Sequence, residues 1–228
     1  GNLLTNSGFT NFTSNVPNNW TLAVGAGGTN VFQETTIVYD NTGSSLRIAG
    51  DADSTLISLT QTFNLSAGTL GELKSVTQYS FNIFARRDGV AAAAGVLTID
   101  LVDGNSPANT IRDVNEALNT FTIDLTALST AWASFTGVFR TPVILPSTIK
   151  MRMRLTTALT NARSVYLDKA SFGEMTQVYT SGPYVASHSG NSNFEVDDYA
   201  QVVVTNSRGS GGTLGTFQTL AFRLLPDM

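Results

Sequence analysis

Three short stretches of the sequence carry charged, amide or aromatic side chains at every second position, with apolar residues between them. They are YSFNIFAR (79–86), VLTIDLV (96–102) and IKMRMRL (149–155). A period of two is typical of strands that bury one face. The intervening side chains then share a polar sheet face, where guanidinium, amide and carboxylate groups are available for hydrogen bonding or ion pairing. The residues on this predicted face are Asn82, Phe84, Arg86, Asp100, Arg152 and Arg154.

Two interpretations of this polar face stay open. In the first, it binds a ligand rich in hydroxyl groups. In the second, it is solvated or covered by a neighbouring subunit, and its arginines pair with Asp100, since exposed ion pairs are common and contribute little stability. Lys150, Arg152 and Arg154 place three cations on one strand face, which fits an acidic glycan or a neighbouring subunit.

The residue types that carry acid–base or nucleophilic catalysis are sparse. His188 is the single histidine and lies in the turn-rich stretch SHSGN, and the sequence has no Gly-x-Ser-x-Gly elbow to partner it. Glu195, Asp197 and Asp198 are too close together on one segment to face each other across a glycoside, as glycoside cleavage requires. We therefore predict that the chain is not an enzyme.

The amino-acid composition excludes further classes of partner and location. Among 228 residues only 13% are charged, the formal net charge is −4, and cysteine is absent. A chain with 13 Lys and Arg residues lacks the basic surface that nucleic acid requires, so no nucleic-acid partner is expected. No apolar run is long enough to insert into a membrane. A polar surface built from Thr, Ser, Asn and Gly is typical of extracellular β-proteins and of viral appendages.

The elements that would position the polar face are short strands separated by turns. β-branched residues are abundant and helical periodicity is scarce, which predicts an all-β sandwich. The regular alternation ends near residue 175, so residues 1–175 are expected to form the sandwich and residues 176–228 a small β-rich annex. The annex contains TLAFRLL (219–225), which is too apolar to remain in solvent. We expect residues 177–228 to pack on the sandwich or to build a homo-oligomer or larger assembly.

Seven sequence landmarks resemble those of carbohydrate-binding modules of families four and nine, which are jelly-roll sandwiches of the galactose-binding-like group. They occur in the order and spacing of those families over about residues 2 to 175. The landmarks are NLLTNSGF (2–9), NNWT (18–21), SSLRIAG (44–50), ISLTQTF (57–63), YSFNIFAR (79–86), WASFTGVFRTP (132–142) and SVYLDKASF (164–172).

The resemblance implies roles for individual residues. Clefts of these modules lie on a polar sheet face, which makes the six residues named above the expected ligand-binding set, with Phe84 as the aromatic. Trp20 and Trp132 are expected to fill the edge of the core. Many such modules hold a structural Ca²⁺, and Asp168 is the acidic residue that survives at the expected position. Thr10 replaces the usual glutamate there, so a hydrogen-bonding role for Asp168 is the alternative.

Two functions follow from these expectations. The first is a non-catalytic module that binds a polysaccharide or surface glycan, used for adhesion on a phage or another extracellular assembly. The second is a virion structural protein, such as a fibre, decoration or tail protein, that uses the jelly roll for assembly without binding sugar. Both place the chain outside a cell or on a virion surface.

Overall fold

The structure is a computed structural model that describes residues 1–40 and 43–175. The predicted annex (176–228), with His188 and the three acidic residues near it, lies outside the described residues. Twelve strands form the described part. They are β1 (Phe12–Thr13), β2 (Val16–Pro17), β3 (Thr21–Val24), β4 (Val31–Glu34), β5 (Ser45–Ala49), β6 (Ser58–Thr62), β7 (Gln78–Arg87), β8 (Val96–Asp103), β9 (Thr120–Asp124), β10 (Ala133–Arg140), β11 (Ile149–Thr157) and β12 (Ser164–Glu174).

The strands form two five-stranded antiparallel sheets and one two-stranded ribbon. The first sheet has the order β10-β7-β12-β5-β4, and the second has the order β3-β6-β11-β8-β9. Apart from the consecutive pairs β4–β5 and β8–β9, neighbours in each sheet are distant in sequence, so the chain crosses repeatedly between the two layers. The ribbon pairs β1 with β2. The described part is an all-β jelly-roll sandwich, and the predicted fold class is confirmed.

The predicted alternation determines which side chains form the core between the sheets. In β7, Tyr79, Phe81, Ile83 and Ala85 are buried, and the residues between them are partly exposed. β11 shows the same pattern, with four buried apolar residues separated by Lys150, Arg152 and Arg154. The strands at 78–87, 96–103 and 149–157 therefore lie where the three alternating stretches predicted them.

The opening segment of the chain is held along β12. The Leu3 N–H donates to the Phe172 carbonyl at 2.7 Å, and the Phe172 N–H donates to Asn2 Oδ1 at 2.9 Å. Phe9 is fully buried, and its ring centroid lies 5.9 Å from that of Trp20, which is 5% exposed. Trp20 is therefore a core residue, as predicted.

Candidate functional site

The six residues predicted to form one polar face lie on two different faces of the sandwich. Asn82, Phe84 and Arg86 belong to β7 and point outward from the first sheet. Asp100 belongs to β8, and Arg152 and Arg154 belong to β11, so these three lie on the outer side of the second sheet. The expectation of one shared face is corrected, because a period of two separates inside from outside but does not assign a strand to a sheet.

On the second sheet, Asp100 is the centre of a buried charge cluster. Arg152 donates from Nε to Asp100 Oδ1 at 2.9 Å and from Nη2 to Oδ2 at 2.6 Å. Thr110 Oγ1 donates to the same Oδ2 at 3.0 Å, and Arg154 Nη2 lies 3.6 Å from it. The side chains of Asp100 and Arg152 are only 1% and 12% exposed. This bidentate ion pair uses the hydrogen-bonding groups of both side chains, so Arg152 has few N–H donors left for a ligand.

Around this cluster, most of the outer side of the second sheet carries hydroxyl groups, and we call this whole outer side the threonine face. Its centre is a row of paired residues running across all five strands: Thr21, Thr60, Arg152, Asp100 and Thr120. The five strands carry a single aromatic residue, Phe121, which packs against the core. Within the described strands, the threonine face therefore offers no exposed ring on which a sugar could stack.

The first sheet presents a different surface. A row of residues in register crosses its outer side from β4 to β7, and aromatic rings alternate with guanidinium groups along it: Phe32, Arg47, Tyr166 and Arg86. Trp132, just before β10, continues the row. Arg47 Cζ lies 4.0 Å from the centroid of the Phe32 ring, and Arg86 Cζ lies 5.9 Å from that of Trp132. Both cations are within the range of attraction to an aromatic face.

Next to this row, three rings meet at one point. The Tyr39 ring lies over Phe84 with a centroid distance of 3.9 Å and an interplanar angle of 31°. The Trp132 ring meets Tyr39 edge-on at 6.0 Å and 89°. Tyr39 is 38% exposed and covers Phe84, so Tyr39 is the ring that faces solvent there. We call the surface formed by Tyr39, Phe84, Arg86 and Trp132 the aromatic face.

Trp132 differs from its predicted role at the edge of the core. It lies two residues before Ser134, and Ser134, Thr136 and Val138 all point outward from β10 while Phe139 is buried. Trp132 shares the outward parity and contacts the aromatic face instead of the core. The alternation of residues 132–139 indicates this outward position, whereas the resemblance to the module families implies a place at the edge of the core.

Asp168 holds Tyr39 in place. It is 1% exposed, and its Oδ2 accepts the Tyr39 N–H at 3.0 Å while its Oδ1 accepts the Lys169 N–H at 2.7 Å. Lys169 is a bulge in β12 with a φ of 49°, and its Nζ lies 2.8 Å from Asp40 Oδ2. The segment that carries Tyr39 is therefore bound to β12 by two interactions, a hydrogen bond to Asp168 and an ion pair with Lys169. Burial raises the pKa of Asp168, although the two N–H donors act against this shift.

The residues around Asp168 do not fit the expected calcium site. Its two carboxylate oxygens are directed at backbone N–H groups, and the ammonium of Lys169 neutralises Asp40 nearby. Calcium requires six to eight oxygen ligands. Within residues 1–40 and 43–175, no group of three or more His, Cys, Asp or Glu side chains could hold a metal ion. The arrangement favours the hydrogen-bonding role for Asp168, with the backbone N–H groups of Tyr39 and Lys169 as its donors.

Hydroxyl and amide groups border the aromatic face. Asn82 Nδ2 donates to Thr136 Oγ1 at 2.9 Å and also contacts Ser134 Oγ. Asn82 and Phe84 lie two residues apart on β7, so this polar group lies directly beside the rings. Asn82, Phe84 and Arg86 therefore lie together on the outer side of β7, and the role predicted for them in ligand binding stays a prediction. Tyr39, Trp132, Arg47 and Phe32 were missed, and for Tyr39 the sequence gives no signal because its segment is not a strand.

Comparisons with known proteins give the following similarities. No family model matches the chain, and no curated protein matches it. Among solved structures, the enzymatically active domain of tailspike protein 4 from bacteriophage CBA120 is similar at a TM-score of 0.52 and 12% identity, over 76% of this chain and 21% of that one. A family 16 carbohydrate-binding module gives 0.45 and 14%, over 66% and 90%. A CBM4 structure gives 0.47 and 15%, over 75% and 99%.

The tailspike match, at this low identity, shows a shared fold and nothing about function. The match covers only 21% of the tailspike chain, so this chain spans about a fifth of that protein's length. In the part of the chain that the structure describes, no helix has the length and apolar character needed to span a bilayer.

Proposed function

We propose that this chain is a non-catalytic glycan-binding module and that the aromatic face is its binding surface. The observation that carries the proposal is the group of three rings, Tyr39, Phe84 and Trp132, on the outer side of the first sheet beside Arg86. Sugar rings present C–H groups that pack on the negative face of an aromatic ring. Polar groups at the border of the rings then bind the sugar hydroxyls.

The positions of the rings support a surface site for a chain-like ligand. Tyr39 is exposed, Trp132 and Phe84 are partly exposed, and the three lie on an open sheet face and not in a closed pocket. Asn82 with its hydroxyl partners lies on one side of the rings, and Arg86 lies on the other. Rings bordered by hydrogen-bonding groups suit a polysaccharide that crosses the face, because each sugar offers both C–H and O–H groups.

The carboxylate at this face supports binding without catalysis. Asp168 is buried and accepts two backbone N–H groups, so it is not free to exchange a proton with a substrate. Its role is to position Tyr39. A glycosidase would need two carboxyl groups facing each other across the bound sugar.

The setting that we propose for the module is an extracellular assembly or a virion surface. The composition supports this, with few charged residues and no cysteine. The similarity to a phage tailspike domain is compatible with it at the level of the fold. In such a setting residues 177–228 would form the oligomer. The alternative proposal, a virion structural protein without sugar binding, shares that assembly role and differs only in the aromatic face.

A glycan array tests the proposal. The full chain is displayed multivalently, because single modules bind weakly and avidity makes the binding measurable. We expect a coherent set of related glycans, with signals that drop in Tyr39→Ala and Trp132→Ala. Val138→Ala is the matched control, since Val138 is 53% exposed on the same side of β10. A blank array, or equal signals from all four proteins, would contradict the proposal.

A deletion tests the alternative. The chain truncated after Met175 is compared with the full chain by light scattering and on the same array. Loss of the oligomer together with an array that is blank for both proteins would favour the structural protein. An unchanged oligomeric state would contradict the assembly role of residues 177–228.

A further inference from the structure

Arg86 has an unusual charge environment. Within the described residues its guanidinium forms no ion pair. Its contacts are a long 3.4 Å hydrogen bond from Nε to the Arg87 carbonyl and the Trp132 ring. Two other cations on the outer side of the first sheet form ion pairs, Arg47 with Glu34 at 3.9 Å and Lys169 with Asp40 at 2.8 Å. Arg140 also forms no ion pair among the described residues, but no aromatic ring lies against its guanidinium.

Two carboxylates near Arg86 in the strand register, Asp88 two residues along the chain and Asp168 on neighbouring β12, are bonded to backbone N–H groups. Asp88 accepts the Val90 N–H at 3.0 Å through Oδ1 and the Ser164 N–H at 2.9 Å through Oδ2. Asp168 accepts two N–H groups and is buried beside Tyr39. Neither carboxylate contacts Arg86, so its guanidinium, partly exposed and next to the three rings, has no ion-pair partner among the described residues.

From this arrangement we infer that the glycan is acidic and that Arg86 binds one of its carboxylate groups. The inference rests on the proposed function, since it specifies the substrate class of the same surface. A guanidinium matches a carboxylate with two parallel N–H donors, and such charge-assisted bonds are about twice as strong as neutral ones. Packing against Trp132 restrains the guanidinium before the ligand arrives.

The rings and the cation together specify a sugar acid and not a free anion. A ring that stacks on Tyr39 or Trp132 brings its substituents to the border of the aromatic face, where Arg86 lies. A carboxylate on that ring then meets the guanidinium while the C–H groups cover the aromatic surface. A hydroxyl group at this position would leave the positive charge uncompensated, so a neutral sugar is the weaker ligand.

Whole-molecule charge does not supply this preference. The chain carries a net charge of −4, so a polyanion is repelled at long range. Binding of an acidic glycan must come from a specific local contact. The same contact is weakened by salt, because Arg86 is only partly buried and exposed charges are screened within about 10 Å at 0.1 M ionic strength.

The experiment uses the full chain on an array of four glycan classes. The first class carries uronic or sialic acids, and the second holds the same glycans with their carboxylates converted to methyl esters. The third is neutral and the fourth is sulfated. The proteins are the parent, Arg86→Gln, Arg86→Lys and the control Arg140→Gln. Arg140 lies on the same outer side of the first sheet, is exposed, and undergoes the same loss of charge.

We expect binding to the first class only, and loss of that binding when the carboxylates are esterified. Arg86→Gln should weaken it by about ten- to a hundredfold, the usual effect of losing a hydrogen bond to a charged group. Arg86→Lys keeps the charge without the planar fork and should retain intermediate binding, while Arg140→Gln should stay within about twofold of the parent. Circular dichroism confirms that each variant is folded.

The outcomes separate the two proposals. Binding to neutral or esterified glycans that survives in Arg86→Gln would overturn the acidic-glycan inference and leave the glycan-binding function intact. Binding of sulfated glycans that falls equally in Arg86→Gln and Arg140→Gln would show general attraction of anions and would also overturn it. A blank array for the parent would overturn the function itself, and the inference with it.

Discussion

The two outer faces of the sandwich each hold one buried carboxylate, and they satisfy it in opposite ways. On the threonine face, Asp100 is neutralised by Arg152 through two hydrogen bonds. On the first sheet, Asp168 accepts N–H groups of the backbone, including that of Tyr39. The hydrogen bonds to Asp168 therefore involve no arginine side chain. Arg86 is therefore left beside aromatic rings with no carboxylate in contact among the described residues.

This difference separates a structural face from a binding face. A buried ion pair has few donors or acceptors left for a ligand, because each partner uses its hydrogen-bonding groups on the other. A cation held against a ring keeps its N–H donors available for a ligand. Both faces contain arginine, hydroxyl groups and a carboxylate, so composition alone does not distinguish them. What distinguishes them is which group satisfies the carboxylate.

The largest expected effect concerns stability on the threonine face. Asp100→Ala leaves Arg152, with a side chain only 12% exposed, without its partner. We expect a loss of about 3–5 kcal/mol in the free energy of unfolding, because an unpaired buried charge is costly. Urea denaturation measures it. The double variant Asp100→Leu with Arg152→Met should recover most of the loss. A loss below about 1 kcal/mol in the single variant would contradict the account, because it would show that Arg152 does not depend on Asp100 as its buried partner.

The next effect concerns binding at the aromatic face. Trp132→Ala removes a ring that meets Tyr39 edge-on and supports Arg86. We expect about a tenfold loss of glycan affinity, in line with the contribution of a single aromatic contact. Isothermal titration calorimetry with the best glycan from the array measures it. Thr122→Ala on the threonine face is the comparison, and a larger loss there than in Trp132→Ala would reverse the assignment of the faces.

A smaller effect concerns the pH dependence of stability on the first sheet. Burial raises the pKa of Asp168 above its ordinary value, so between these two pKa values the folded state binds more protons than the unfolded state. The parent protein is then stabilised as the pH falls from neutrality through the folded pKa, a gain that is absent in Asp168→Asn. We expect the difference in unfolding free energy, parent minus variant, to shift in favour of the parent on acidification.

Urea midpoints of both proteins at about pH 7 and pH 4.5 measure this shift, since the window lies above the ordinary aspartate pKa. Hydrogen bonds lower the pKa of Asp51, Asp103 and Asp124, which opposes the trend equally in both proteins and cancels in the difference. A difference that stays constant with pH would contradict the account of Asp168.

The smallest effect concerns Arg154, the more exposed of the two arginines beside Asp100. Arg154 is 38% exposed and lies 3.6 Å from Asp100, which Arg152 already satisfies. Arg154→Gln should change the unfolding free energy by less than about 1 kcal/mol, because exposed charge pairs contribute little. Glycan affinity should be unchanged, and calorimetry measures it. A loss of affinity greater than that of Arg86→Gln would move the binding site to the second sheet.

The sequence predicted the layers of the fold but not which residues meet. Alternation correctly placed Phe84 and Arg86 outside and Phe81 inside, because the period of two is a property of one strand. Whether β7 and β11 share a sheet depends on pairing between distant segments, which alternation does not encode. The six predicted residues were therefore divided between two faces.

The position of Tyr39 on the aromatic face also depends on a contact between distant parts of the sequence, which a local pattern does not predict. Tyr39 lies in an irregular segment, and its position over Phe84 depends on Asp168, which is 129 positions away along the chain. No local pattern reports such a contact. Trp132 differs from Tyr39, because the alternation of residues 132–138 indicates an outward side chain, and this local pattern predicts its position better than the family resemblance does.

The central claim is that the aromatic face binds the glycan, and the fluorescence of Trp132 tests it most directly. Trp20→Phe leaves Trp132 as the only tryptophan, and the change should be tolerated, because the buried Trp20 indole N–H has no hydrogen-bond partner among the described residues. The variant is titrated with the best glycan from the array. We predict a shift in Trp132 emission and protection from acrylamide quenching that saturate at the calorimetric affinity. Binding seen by calorimetry with unchanged Trp132 emission and quenching would contradict the claim.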